Sequence, residues 1–372
     1  MLTRRSLLAS SFAAGLLPRT ILATGLRRSA TADLVWHNPE MWGVEGKGWA
    51  TTERFYDRLP ASAAGVVPKA VWELSHHSAG MFVSFTTDAA EIHVRYSLSK
   101  SRIAMPDMAA TGVSGFDLYA RDGARWRWVS VFKPTEQRCE GPLAESLDPG
   151  TRDYRLYLPL YNGVDSLEIG VPPSASFTPI SPRAEKPVVL YGTSILHGAA
   201  ASRPGMAWPS ILGRRIDLPT VNLGFSGSGK MEKEVAALVA EIDAAAYVID
   251  CAPNMNAKQI TERAGPLVEC IRAARPSAPI LLVEDRRYGY AWVKGSSRDR
   301  NEQNAKALAA VYADLVARGV KGLAYVPASA LLGDEPEETM TDGSHPSDLG
   351  MMLYAKAVAP VLASAMGRLL PC

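Results

Sequence analysis

The sequence predicts two folded parts in series: an all-β antiparallel sandwich of jelly-roll type, then an α/β domain with a flavodoxin-like, doubly wound parallel sheet. Three observations predict this. Over about residues 34–171, short segments alternate apolar and polar residues at period two between turn residues, and no helical period persists. The stretch 172–182 is rich in Pro and Ser, as a connection between domains is. Beyond it, strand-length apolar runs alternate with amphipathic helical runs, the pattern of βαβ units on a parallel sheet.

Taken in order, the first part predicts strands around residues 81–85, 91–96, 126–130, 154–158 and 166–170. Trp126 and Trp128 lie two apart on the same strand face and are expected in its core. The second part predicts strands at 187–191, 220–223, 246–251, 279–283 and 322–326. Helices are expected at 206–216, 232–242, 257–274, 300–318 and 347–365. A chain of 372 residues exceeds the usual single-domain size. The division expected is therefore a leader over 1–32, a sandwich over 33–172, a linker over 173–186 and the α/β domain over 187–372.

The first 32 residues read as an export signal, because Arg4-Arg5 precedes an apolar run too short to span a bilayer. Thr3-Arg4-Arg5-Ser6-Leu7-Leu8 resembles a twin-arginine signal, and Ala30-Thr31-Ala32 offers a small-residue cleavage site. The expected location is periplasmic or secreted. Removing this segment takes away five arginines, so the formal charge of +2 becomes about −3. Nucleic-acid binding then loses its electrostatic basis. No later apolar run is long enough for a membrane span. The four cysteines, Cys139, Cys251, Cys270 and Cys372, lack metal-type spacing, and Cys251 fits a small core residue.

In an open parallel sheet, ligands bind beyond the carboxyl ends of the strands. Chemically useful groups follow the predicted strands repeatedly: Gly192-Thr193-Ser194, then Gly224-Phe225-Ser226-Gly227, then Ala252-Pro253-Asn254, and finally Asp342-Gly343-Ser344-His345. A serine hydroxyl is a poor nucleophile until an oriented base takes its proton. Asp342 and His345 have the spacing to supply both base and orienting carboxylate for Ser194. The Ser194 amide, the Gly227 amide and the Asn254 side chain are candidate donors for the developing oxyanion, with Asn256 an alternative to Asn254.

In this order the four segments resemble the blocks of the SGNH (GDSL-type) hydrolase superfamily. The resemblance implies Ser194 as nucleophile, Gly227 and Asn254 with the Ser194 amide as oxyanion hole, and Asp342 and His345 completing a triad. Thr193 stands where the GDS form has aspartate, and Met255 follows Asn254 where many relatives have Asp. Gly115-Phe116-Asp117-Leu118-Tyr119 resembles the GxDLY segment of a β-sandwich domain that precedes such hydrolases. The matches together span roughly residues 34–366.

Other candidates carry blander readings. His197 is too close to Ser194 in sequence to reach its hydroxyl and is expected as a pocket wall or as a support behind the pocket lining. His76 and His77 are expected in a turn. Gly227-Ser228-Gly229-Lys230 does not meet the spacing of a phosphate loop, so no nucleotide is expected. No clustered metal ligands are evident, so neither metal nor other cofactor is expected. Tyr288, Tyr290 and Trp292 follow the fourth strand with cations around them, a mixture suited to stacking on sugar rings or, equally, to a solvated loop whose rings pack on the other domain. The expected activity is that of an exported serine esterase that removes acetyl or similar small acyl groups from a carbohydrate. Two alternatives are a lipase or thioesterase on longer acyl chains and a non-catalytic glycan-binding protein.

Overall fold

The computed structural model describes residues 33–370, so the expected export signal and Cys372 lie outside the described residues. The amino-terminal part contributes β1 (Val35–His37), α1 (Lys69–Ser75), β2 (Phe82–Thr87), β3 (Ile92–Leu98), α2 (Ala110–Val113), β4 (Asp117–Asp122) and β5 (Arg125–Val131). It continues through β6 (Arg138–Ala144), β7 (Arg152–Tyr157), β8 (Val164–Val171) and β9 (Phe177–Ile180). These strands form two antiparallel sheets, ordered β1-β8-β3-β6 and β5-β4-β7-β2-β9. Strand β3 buries every second residue, as a strand with one wetted face must. Val83, Phe85, Val94, Phe116, Leu118, Leu156 and Ile169 fill the space between the sheets.

Three details depart from the sequence-based expectation. The helix α1 was not expected; its Val71 packs with the core beneath the second part of the chain, so a tertiary contact supports what seven residues alone would not. The Pro- and Ser-rich stretch includes β9, which pairs along β2. Trp128 is 51% exposed rather than core. It lies on edge strand β5, where its indole N–H donates to Asp117 Oδ1 at 2.9 Å.

The second part runs β10 (Val188–Gly192), α3 (Ser194–His197), α4 (Trp208–Ile216), β11 (Thr220–Gly224), α5 (Lys233–Glu241), β12 (Ala246–Asp250) and α6 (Ala257–Ala274). It ends with β13 (Ile280–Val283), α7 (Gly295–Ala317), β14 (Leu323–Val326) and α8 (Asp348–Ala365). The five strands are parallel in the order β11-β10-β12-β13-β14, the flavodoxin-like 2-1-3-4-5 arrangement. Strands β10 to β13 are buried throughout, which is why they read as continuous apolar runs. Val189, Tyr191, Val221 and Ile249 face a layer containing α5, α6 and α7, while Val188, Leu190 and Val248 face α4 and α8. The strand order reverses beside β10, and that switch point opens the crevice in which a ligand site is expected.

From Leu34 onward the chain forms one compact unit. Arg58 shows how the two parts join. Its guanidinium is 2% exposed and donates to the carbonyls of Leu74 and His77 on one side and Asn222 and Gly224 on the other. Burial draws its pKa down to about 9, so the group stays cationic at neutral pH.

Candidate active site

Strand β10 delivers Ser194 through a tight turn. Gly192 is required there, because a Cβ would lie 2.5 Å from the Asp250 carbonyl oxygen. Thr193 then caps α3 by accepting from the Ile195 amide, a job suited to a hydroxyl as well as to a carboxylate. Ser194 is the first helical residue, and Gly198, at φ +111°, ends the helix after a single turn.

The turn before α8 supplies the partners. His345 Nε2 lies 2.9 Å from Ser194 Oγ, across 151 positions of sequence. His345 Nδ1 lies 2.8 Å from Asp342 Oδ2, while Asp342 Oδ1 accepts the amides of Ser344 and His345. Burial pushes the Asp342 carboxyl up, but those donors outweigh it and hold the group below the usual carboxylate range. A carboxylate on Nδ1 fixes the tautomer in which Nε2 can accept a proton from serine.

Two residues that sequence reasoning missed reach this turn, and the first of them holds it. Arg286, buried and paired with Asp285, donates to the Ser344 carbonyl at 2.9 Å and to its hydroxyl. Asp107, at the tip of a two-residue turn between Met105 and Met108, brings a carboxylate from the sandwich. Its oxygen, an Asp342 oxygen and a His345 ring nitrogen lie within 4.8 Å of one another. The local Pro106-Asp107 pattern signals only a turn, so no sequence signal marks Asp107 for the site.

Gly227 (φ +70°) and Asn254 follow β11 and β12, the strands on either side of β10. Asn254 donates one amide hydrogen to the Ser228 carbonyl at 2.6 Å, which joins the two loops and orients the carboxamide. Asn256 is otherwise engaged: it forms a capping box with Gln259 at the start of α6. Asn222 is also structural, bonding the Leu196 carbonyl and the Gly224 amide.

The three aromatic candidates differ. Tyr288 accepts from Arg300 at 2.7 Å and has the Arg286 guanidinium 4.2 Å from its ring centre. Tyr290 stacks on Tyr288 at 5.2 Å and covers Gly343 so closely that a Cβ there would lie 2.5 Å from the ring. Both rings brace the turn that carries His345. Trp292 is 77% exposed, over a cleft lined by Arg287, Glu302 and Glu337.

His197 takes the second of its expected places, behind the site rather than in the pocket wall. It is fully buried, bonds the Leu160 carbonyl at 2.7 Å and lies 3.4 Å from His77. His77 is itself buried and accepts from Lys100 at 2.6 Å, while His76 bonds Asp57. Cys251 is a buried core residue, as expected.

The arrangement suits transfer of an acyl group from an ester to Ser194, and comparison with known proteins agrees. Residues 185–363 match the GDSL-like Lipase/Acylhydrolase family, and residues 34–177 match the GxDLY family, the N-terminus of SGNH-hydrolase-type esterases. A solved structure of a GDSL-like lipase candidate from Bacteroides ovatus is 31% identical, with a TM-score of 0.87, covering 91% of this chain and all of the other. The chain belongs to the GDSL-like lipase/acylhydrolase family. This hydrolase shares its fold with more distant proteins. A salicylyl-acyltransferase from a tetracycline biosynthetic pathway has a TM-score of 0.69 at 18% identity, covering 89% of this chain and 97% of the other. A family two carbohydrate esterase from Clostridium thermocellum, solved with cellohexaose, has a TM-score of 0.56 at 14% identity, covering 78% and 94%. A search of curated proteins returned no match. The hydrolase is a serine enzyme acting on carboxylic esters. Among the described residues, no helix is long and apolar enough to cross a membrane.

Proposed function

We propose that this hydrolase is an exported esterase that deacetylates a polysaccharide or other acylated carbohydrate through a covalent acyl-enzyme on Ser194. The observation that carries the mechanism is the 2.9 Å approach of Ser194 Oγ to His345 Nε2. In this reading, Ser194 Oγ attacks the ester carbonyl as its proton passes to His345 Nε2. Asp342 holds the resulting imidazolium. The Ser194 and Gly227 amides and the free N–H of Asn254 receive the oxyanion, each such donor contributing about 3 kcal/mol. Collapse of the intermediate expels the sugar hydroxyl with the proton from His345, and water then cleaves the acyl-serine by the same route.

The carbohydrate part is supported by Trp292, a large exposed ring beside a polar cleft on the loop that braces the His345 turn. A protein of the same fold was captured with cellohexaose, so oligosaccharides are the first ligands to test. Export is supported by Arg4-Arg5 and the apolar run behind them.

The test is release of acetate from acetylated xylan, with p-nitrophenyl acetate, butyrate and octanoate in parallel. The proposal expects xylan deacetylation, rates that fall with acyl length, and loss of all turnover in Ser194→Ala. Rates that rise toward octanoate would make it a lipase instead. For export, fractionation of the native host followed by amino-terminal sequencing should return a mature chain that begins near Asp33.

A further inference from the structure

The polar residues of the GxDLY segment point away from the sandwich core and into a seam with the α/β part. We propose that Asp117 and Tyr119 are positioning residues for ester hydrolysis. They seat the loop over residues 198–207, and that loop sets the placement of Ser194 relative to His345.

Asp117 is fully buried. Its Oδ2 accepts the Gly205 amide at 2.7 Å and Arg203 Nη1 at 2.8 Å, and its Oδ1 takes the Trp128 indole. The Tyr119 hydroxyl accepts the same Arg203 nitrogen at 2.6 Å. Arg203 thus lies in a box, with the rings of Trp128 and Tyr119 5.0 and 5.4 Å away. Thr111 adds a hydrogen bond to the Ser202 carbonyl at 2.7 Å. The seam tolerates almost no slack: a Cβ on Gly112 would lie 2.3 Å from the Ala201 oxygen, and one on Gly205 would lie 2.4 Å from the Tyr119 ring.

The opposite side of the loop reaches the base. Ser202 donates its amide at 2.9 Å, and its hydroxyl as well, to the Asp348 carboxylate. Asp348 opens α8, three residues beyond His345. The loop leaves α3 just after His197, so it is tied to the nucleophile at one end, to the base turn through Asp348, and to the sandwich through Arg203 and Gly205. A misplacement of about 1 Å between nucleophile and base can cost about 10²-fold in rate. A sandwich that holds the loop at three points suppresses that error.

The experiment compares Asp117→Asn, Tyr119→Phe, Ser202→Ala, Arg203→Ala and Arg203→Lys in the full chain, well below the melting temperature. Readouts are kcat and KM for p-nitrophenyl acetate and the rate of Ser194 labelling by a fluorophosphonate. A small aryl ester makes the result independent of whether the natural substrate is a carbohydrate. We expect kcat and labelling rate to fall together by at least tenfold in Asp117→Asn, Arg203→Ala and Ser202→Ala, with KM within twofold. Tyr119→Phe should fall less, and Arg203→Lys should recover part of the loss. Folded variants that keep kcat within twofold would overturn the proposal, as would a change confined to KM. If Asp117→Asn does not fold, Tyr119→Phe and Arg203→Lys decide, since each alters the bonds among Asp117, Tyr119 and Arg203 while leaving the ring or the charge in place.

Discussion

His197 stacks on Tyr161, with ring centres 4.2 Å apart and planes 11° from parallel, and this contact takes the imidazole nearest Ser194 in sequence out of the cleft. The cluster it joins contains His77, Lys100 and Arg58, all at the junction of sandwich and sheet. Burial first, then the neighbouring cations, hold both His77 and His197 well below the ordinary histidine range.

A pH dependence of stability follows. Both rings are neutral in the native state, and the unfolded chain takes up protons first, at about pH 6.5. Stability is therefore complete above about pH 6.5 and falls below it, with a slope of up to about 1.4 kcal/mol per pH unit for each ring. Melting temperatures measured from pH 8 to 5 should decline on the acid side. The decline should be shallower in His197→Asn, and an unchanged acid slope would refute the assignment.

The proposed triad predicts a hierarchy of losses. Ser194→Ala and His345→Ala should each abolish p-nitrophenyl acetate turnover to background. Asp342→Asn, which leaves the turn but supplies the wrong partner to Nδ1, should lower kcat by about 10⁴-fold. Activity within tenfold of wild type in any of the three would contradict the assigned roles.

The two neighbouring asparagines separate cleanly. Asn254→Ala should cut kcat by about 10²- to 10³-fold, well beyond the roughly 1 kcal/mol of stability that loss of its bond to the Ser228 carbonyl costs. Asn256→Ala should also cost about 1 kcal/mol, through loss of the α6 cap, while kcat stays near wild type. Steady-state kinetics and urea unfolding on the same preparations check both.

Removal of Arg58 tests how the two parts cohere. Arg58→Met removes the side-chain donor from the buried carbonyls of His77, Asn222 and Gly224, and from that of Leu74, which keeps the His77 amide. At about 1–3 kcal/mol for each unsatisfied group, the loss should exceed roughly 3 kcal/mol. Urea unfolding followed by fluorescence and far-ultraviolet dichroism measures it; a loss under about 1 kcal/mol would show that the junction is held elsewhere.

Gly343 tests the brace on the base turn. Its φ of +75° and the Tyr290 ring leave no room for a methyl group. Gly343→Ala should therefore lower kcat more than Tyr290→Ala does, because it strains the turn itself as well as displacing the ring. Equal kcat in wild type and Gly343→Ala would exclude any strict need for this conformation.

Much of this was written along the chain. Period-two alternation marked the sandwich strands and continuous apolar runs marked β10 to β13, because burial on one face or on both imposes those patterns directly. Ser194 and Asn254 stood out as candidates because they follow strands, and Asp342 and His345 because they lie in the turn that leads into the last helix, where the sheet's crevice must lie. The sequence could not place Asp107, Arg286, Asp117 and Arg203, whose importance comes from residues far away in the chain. Trp128, His197 and Tyr288 show the same limit. Local pattern specifies which residues can be buried or reactive, while the packing of sandwich against sheet decides which atoms they meet, and hydrogen bonds and close contacts depend on distances that no spacing rule encodes.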